Sequence, residues 1–509
     1  PAGTGQVVIP MHRSDYNRTT GTERANPRIH INGITSYIDA SAVYGSDLMR
    51  AAWLRTFSKG KLKTSQGDLL PYNTVSGESY DNTDPLAPAM AMPFPHVDRF
   101  FVAGDVRANE NPLLTSLHTI FVREHNRLAE QILSDHPDWT DEMLYQRARK
   151  IVGALMEAIV FEEWLPTLGM DLESYAGYNQ TINPGIMNVF TAAAYRYGHS
   201  TIGNEMARMD NDGNMMPDGE IDLRNAFFNP AAIPEVGGIE PYLMGMSTIV
   251  EQDFDCQIID DLRNFLFGPP GAGGLDLASL NLNRGRDRGL ADYNTVRKHF
   301  GLAPVASFSQ LSTDPFLNQT FATVYEDIDK IDPWAGILAE DHMEGALFGE
   351  TAMTVIGQQF KSLREGDRFY YEADSEFIES EISEIKSTRL SDIILRNTDI
   401  YEIQENVFVV EQTTGLAVHQ PEILNFELYP NPTADQINIG LGPTDANLQN
   451  GEVQILDMFG KIMMSKSFGQ HLGSNHLTFE FDSSIPAGLY LVKVSDAKKS
   501  GTKSFMKVN

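Results

Sequence analysis

The hydrophobic pattern changes character once along the chain. Up to about residue 410 apolar positions recur at helical spacing. Beyond Thr413 they alternate with polar ones. The strongest helical signal follows Asn111-Pro112. Leu113, Leu117, Ile120, Phe121, Leu128 and Ile132 fall on one face. Asn before Pro is a favoured start, because the Asn side chain caps a free N–H and Pro has none to satisfy. A second run, residues 141–169, is periodic throughout and ends at Pro166 and Gly169. A third, residues 184–206, puts Ile186, Val189, Phe190, Ala193 and Tyr197 on one stripe, with His199 near its end. Residues 337–410 are mostly helical as well. By contrast LNFELYPNPTADQINIGL, EVQILDMFGKIMMSKSF, HLTFEFDSS and AGLYLVKVSD alternate between Gly, Pro and Asn turns, which predicts a small β-sandwich. The expected organisation is mainly α: a helical domain over 1–412, a linker over 413–424 and a β-sandwich over 425–509.

The segments between are irregular. Residues 1–30 are polar and loop-like, and the Pro-rich, aromatic stretch before Phe100 reads as surface loop. DNDGNMMPDGEIDL, residues 210–223, carries Met215 and Ile221 where a calcium-binding EF-hand needs Gly and Glu, so a hairpin or long turn is expected instead. GPPGAGG, residues 268–274, lacks the flanking pattern of a phosphate-binding loop.

A net charge of −30 without a basic stripe argues against nucleic acid and anionic membrane surfaces as partners. No apolar run reaches membrane-spanning length. Cys256 is the single cysteine, so no intrachain disulfide forms. The chain starts at Pro1 with no signal-peptide pattern, as expected of a processed or truncated polypeptide.

Four places carry candidate chemistry. Arg107 and Glu110 sit just ahead of the helix at Pro112, off its positive end. That position suits reactive polar groups and equally suits a solvated ion pair. Thr35, Tyr37, Asp39 and Ser41 alternate. In an extended loop they would offer oxygens from one side, as a hard cation requires, and in a half-buried strand or a turn they would be its polar face. His118 and His125, seven apart, read as packed or hydrogen-bonded histidines. His199 follows Gly198, whose missing side chain would let a flat cofactor approach, although a satisfied core histidine has the same pattern.

AGDVRANENPLLTSLHTIFVREHNRLA closely resembles the animal-type haem peroxidase family, the group of myeloperoxidase, lactoperoxidase and peroxinectin. INGITSYIDASAVYGSD, RYGHS, LNLNRGRDRG and residues 337–410 resemble further family segments in family order, from about residue 5 to about 410. The resemblance implies a helical domain holding haem b and calcium, which reduces hydrogen peroxide while oxidising halides or a small organic electron donor. It implies His199 as the axial iron ligand, with Asn281 accepting a hydrogen bond from it, and Arg284 near a haem propionate. It further implies Arg107 as the distal cation that stabilises O–O cleavage and Glu110 as an ester anchor to the haem. Calcium would take the side chains of Thr35, Asp39 and Ser41 and the carbonyl of Tyr37. Asn111 stands where the myeloperoxidase branch has a Met, so the sulfonium link of that branch cannot form here.

The family's distal His, with its neighbouring Asp, belongs to a helix that would precede residues 9–14. His12, His30 and His96 lack that context. The expectation is a fragment that begins after the distal helix, binds haem poorly by itself and turns over little peroxide. Two other functions stay open: a fatty-acid dioxygenase of the same superfamily, with Tyr195 or Tyr197 as its radical site, and a non-catalytic exported surface or adhesion protein. YPNPT, GLYLVKV and the Lys-rich end resemble the C-terminal sorting domain of bacterial type IX secretion. This implies a secreted or cell-surface protein that meets the secretion machinery, the alternative being an ordinary carbohydrate- or protein-binding sandwich.

Overall fold

Helix α1 (Pro112–Asp135) starts where its cap dictates: the Asn111 side chain accepts the Leu114 N–H at 3.0 Å, and Pro112 occupies the first turn. Its apolar stripe packs along α2 (Asp141–Ala158), which is capped by Thr140 and followed by a π-helical turn, Ile159–Trp164. These are the middle of the helical core, with Ile120, Val152 and Ala158 fully buried. The computed structural model describes residues 11–94, 96–266, 274–410, 422–423, 426–441, 451–457, 462–468, 476–481, 485–495 and 499–508. Most of the Gly/Pro loop at 268–274 and of the linker at 413–424 therefore lies outside the described residues.

The third helical run departs from the expected continuous stripe. It forms α3 (Asn188–Ala192), a break at Ala193, a single 3-10 turn at Ala194–Arg196 and α4 (Gly198–Thr201). The break has a visible cause. Arg196 folds back, and its Nε donates to the Thr191 carbonyl at 3.0 Å, so a side chain takes an oxygen that a continuing helix would use. The segment LDLASLNLNRGRD forms α5 (Leu277–Asp287), with Asp276 accepting the Ser279 N–H at 3.0 Å. Further on, α6 (Glu350–Glu365) and α7 (Leu390–Asn397) complete the helices named here. The turn-rich stretch 210–223 closes a small antiparallel pair, β1 (Glu205–Met206) with β2 (Ile221–Asp222), the hairpin expected in place of an EF-hand.

The chain divides into two compact units, Pro1–Glu411 and Gln412–Asn509. The second is built of strands, β3 (Glu422–Ile423), β4 (Phe426–Tyr429), β5 (Gln436–Leu441), β6 (Gly451–Asp457), β7 (Ile462–Phe468), β8 (His476–Glu480), β9 (Gly488–Ser495) and β10 (Lys499–Lys507). They form one sheet in the order β3-β10-β9-β6-β7 and another in the order β4-β5-β8. Alternate residues of both sheets, among them Ile437, Ile439, Phe479, Val453, Ile455, Val492 and Val494, meet in one core. Period-two alternation puts one face of each strand into that core, as a sandwich requires.

Candidate active site

His199 and Asn281 come from segments far apart in sequence and meet where α4 passes α5. The Asn281 Nδ2 lies 2.8 Å from the His199 Nδ1. Asn281 is fully buried, and its Oδ1 accepts from the Arg196 Nη1 at 2.7 Å. The structure thus pairs the two residues that the sequence pairs and adds a third, Arg196. Burial, followed by the Arg196 charge, pushes the His199 imidazole down to about 4. The ring is neutral at pH 7, so one nitrogen holds a lone pair. A Cβ built at Gly198 meets nothing within 4 Å, so there is open space at that position.

Three guanidiniums gather near this pair. Arg284 Nη1 and Arg288 Nε both donate to Ser14 Oγ, at 2.9 and 3.0 Å. Burial, followed by the charges of Arg284 and Arg288, pushes Arg196 down to about 10. Arg284 also donates to the His12 carbonyl at 3.0 Å, so it ties the N-terminal strap to α5 as well as bordering the site. Cations that repel one another in a partly buried place form a seat for a carboxylate. Arg196 and Arg288 were missed in the sequence. The signal available was the placement of Arg196 three residues ahead of His199, which in a helix-like turn shares its side.

Arg107 and Glu110 share the turn before α1, where the Glu110 N–H donates to the Arg107 carbonyl at 2.8 Å. Arg107 pairs with Asp105 through two arms, Nε to Oδ1 at 2.8 Å and Nη2 to Oδ2 at 2.6 Å. Burial alone would raise the Asp105 carboxyl, but the Arg107 hydrogen bonds and charge hold it at about 2. The guanidinium is fixed on one side, and its Nη1 has no partner among the described residues. Glu110 differs: burial raises its carboxyl above the usual range despite the Arg107 charge. Asn111, in the position of the sulfonium-forming Met, is used as the helix cap.

The loop at 35–41 is a run of bends rather than an extended strand. The Thr35 Oγ1 accepts the Tyr37 N–H and the Asp39 Oδ1 accepts the Ser41 N–H, both at 3.0 Å, so these oxygens cap their own loop. Ser41 opens a short helix, Ser41–Tyr44, from Ala40 in the left-handed region at φ 55°. Among the described residues no group of three or more His, Cys, Asp or Glu forms a metal site. The loop offers one carboxylate, two hydroxyls and a carbonyl, part of the roughly six to eight oxygens that calcium takes.

Five further histidines have other surroundings. His118 is buried with Nδ1 on the Ala42 carbonyl at 3.0 Å, and His125 is held between the Tyr44 hydroxyl and the Gly60 carbonyl, both at 2.8 Å. His96 is exposed and stacks on Phe94, His12 is exposed, and the His30 Nδ1 sits on the Asp15 carbonyl at 3.2 Å. A separate cavity of about 930 Å³ runs along α2, lined by residues that include Asp39, Gly153, Glu157, Asp367 and Phe377. None of Arg107, Glu110, His199 or Asn281 lines it.

The animal haem peroxidase model matches residues 1–408. This chain belongs to the animal haem peroxidase family. Relatives in it include peroxinectin A of Dictyostelium discoideum, 38% identical over 77% of this chain and 72% of the relative, and mouse thyroid peroxidase, 36% identical over 79% and 46%. Dual oxidase of Drosophila melanogaster is 36% identical, and the chain spans 28% of its length. The solved peroxidase A from Dictyostelium discoideum superposes with a TM-score of 0.69 at 37% identity, covering 76% of this chain and 73% of that one. A rice fatty acid alpha-dioxygenase superposes at 0.64 with 22% identity, over 80% of this chain and 71% of that one, and so shares the fold. Residues 427–508 match the secretion system C-terminal sorting domain, which marks this peroxidase-family protein as secreted or displayed at a bacterial cell surface. No described helix is long and apolar enough to cross a membrane.

Proposed function

We propose that the protein is a haem peroxidase that reduces hydrogen peroxide while oxidising halides or small organic donors. One observation carries this reading: a half-buried, neutral His199 held on a buried Asn281, beside a cluster of arginines. That donor set fits haem. His199 would hold the iron, and Arg284 with Arg196 and Arg288 would receive a propionate carboxylate. Glu110, whose carboxyl burial raises above the usual range, would be the anchor to the ring edge. The loop oxygens of Thr35, Tyr37, Asp39 and Ser41 would hold calcium. Bound haem supplies the iron that takes electrons from the donor and passes them to peroxide.

The residues of this chain prepare that exchange. Asp105 grips two arms of Arg107 and thereby aims the third, so a fixed Nη1 donor waits for the oxygen that gains negative charge. Asn281 fixes the ring plane of His199. Asn111 caps α1 and makes no link to the haem, so the strongly oxidising chloride chemistry that accompanies such a link is not proposed.

The test is peroxide turnover of haem-loaded protein with a phenolic donor. Arg107→Gln is expected to lower kcat/KM for peroxide by roughly 10²–10³-fold, the cost of losing one preorganised charge-stabilising donor, with little change in donor KM. Oxygen uptake with a polyunsaturated fatty acid and no added peroxide would instead show the dioxygenase chemistry of proteins that share the fold.

A further inference from the structure

We propose that Arg196 sets the direction of the hydrogen bond at His199: by holding the Asn281 carbonyl oxygen it turns the amide NH₂ toward the imidazole, so that the haem-free protein keeps the His199 proton on Nε2. The inference rests on donor and acceptor chemistry. A guanidinium has N–H donors and no acceptor, so whatever faces Arg196 Nη1 at 2.7 Å must be an acceptor, the Asn281 Oδ1. The other end of the amide is then the NH₂, which only donates. It lies 2.8 Å from the His199 Nδ1, so that nitrogen must present its lone pair. A neutral imidazole has one N–H, and it is left on Nε2.

This direction is the reverse of the one that iron ligation requires. If His199 is the axial ligand, as the proposed function holds, Nε2 must offer a lone pair and Nδ1 must carry the proton, which then needs an acceptor. The Asn281 amide must turn by half a rotation to provide its oxygen, and the turned NH₂ would face the Arg196 donors. Arg196 therefore opposes loading until its Nη1 finds another acceptor. Arg284 and Arg288, which meet at Ser14 Oγ, border the place where a haem carboxylate would supply one. The Nε of Arg196 keeps its own bond to the Thr191 carbonyl and anchors the side chain throughout. Arg196 is thus a positioning residue that acts through Asn281.

The prediction is read without haem. In the full chain with ¹⁵N-labelled histidine, two-bond proton–nitrogen correlation, with the His199 signals assigned by loss in His199→Gln, is expected to show the Nε2–H tautomer. Asn281→Asp, an acceptor only, is expected to convert His199 to a ring protonated on Nδ1. Arg196→Met is expected to raise the Nδ1–H population and to speed haem uptake several-fold, whereas Arg196→Lys, which still donates, keeps the wild-type tautomer. A folded wild-type chain with the proton on Nδ1, or an Arg196→Met tautomer indistinguishable from wild type, would overturn the proposal. If the tautomers behave as stated but haem binds equally well to His199→Gln, it is the peroxidase reading that fails and the role of Arg196 in the haem-free chain that stands.

Discussion

At the residue scale, the buried polar groups divide into those that hold the fold and those that face the site. His125 is fully buried with Nε2 on the Gly60 carbonyl. A carbonyl only accepts, so Nε2 carries the proton and Nδ1 accepts from the Tyr44 hydroxyl. Burial, more than the nearby arginine charges, pushes this histidine down to about 4. The unfolded chain binds this proton near pH 6.5 and the folded chain only near 4, so stability is present above 6.5 and is lost as pH falls through this window. The loss attributable to His125 is up to about 3 kcal/mol, and His125→Gln should flatten the fall in denaturant midpoint between pH 7 and 4. Glu124, also fully buried, takes two arms each from Arg127 and Arg396 and a further bond from Asn397 at 2.7 Å. Removing its carboxylate strands two cations, so Glu124→Ala should cost about 3–5 kcal/mol in equilibrium unfolding, with haem chemistry untouched in whatever remains folded. In sequence His118 and His125 read as packed or hydrogen-bonded histidines, and the structure shows both hydrogen-bonded in the core. The partners of Glu124 and His125, among them Gly60, Tyr44 and Arg396, lie too far off in the chain to be visible from spacing.

At the scale of elements, the helix starts were legible and the site geometry was not. The cap at Asn111 and the apolar stripe behind it are local facts, written in adjacent residues. The proximal segment was misread as one helix because its apolar spacing stays helical through the break at Ala193. What overrides that spacing is a side chain, Arg196, which claims the Thr191 carbonyl and then reaches Asn281 across the fold. The calcium-like loop shows a similar limit: alternation in sequence leaves an extended loop, a strand and a turn open, and Thr35 and Asp39 fold the backbone into bends by accepting the N–H groups of Tyr37 and Ser41. Gly104 shows how one element positions another. A Cβ there would run into the carbonyls of Ser41 and Ala42, so the strap carrying Asp105 and Arg107 lies directly on the turn after the loop. Gly104→Ala should force the two apart, lowering stability by about 1–3 kcal/mol and weakening the effect of Arg107→Gln on peroxide turnover, as a double-mutant comparison would show.

At the scale of the whole molecule, the switch from helical to alternating spacing was enough to foresee a helical domain and a β-sandwich, while the family came from the resemblance of its motifs. Each of the two units has its own buried core. The sorting-domain match to the sandwich separates address from chemistry. Deleting 427–508 is expected to retain the protein inside the bacterial cell, as judged by fractionation, while leaving the absorbance spectrum of the haem-loaded helical unit unchanged. The proposed chemistry hangs on His199. The most direct measurement is a haem titration of the full chain and of His199→Ala, followed through the Soret absorbance. The account predicts a histidine-ligated haem spectrum for the full chain, with binding at least about tenfold weaker and that spectrum absent in His199→Ala, the loss of roughly 1.4 kcal/mol or more expected when an axial ligand goes. The same spectrum and affinity in both proteins would contradict it.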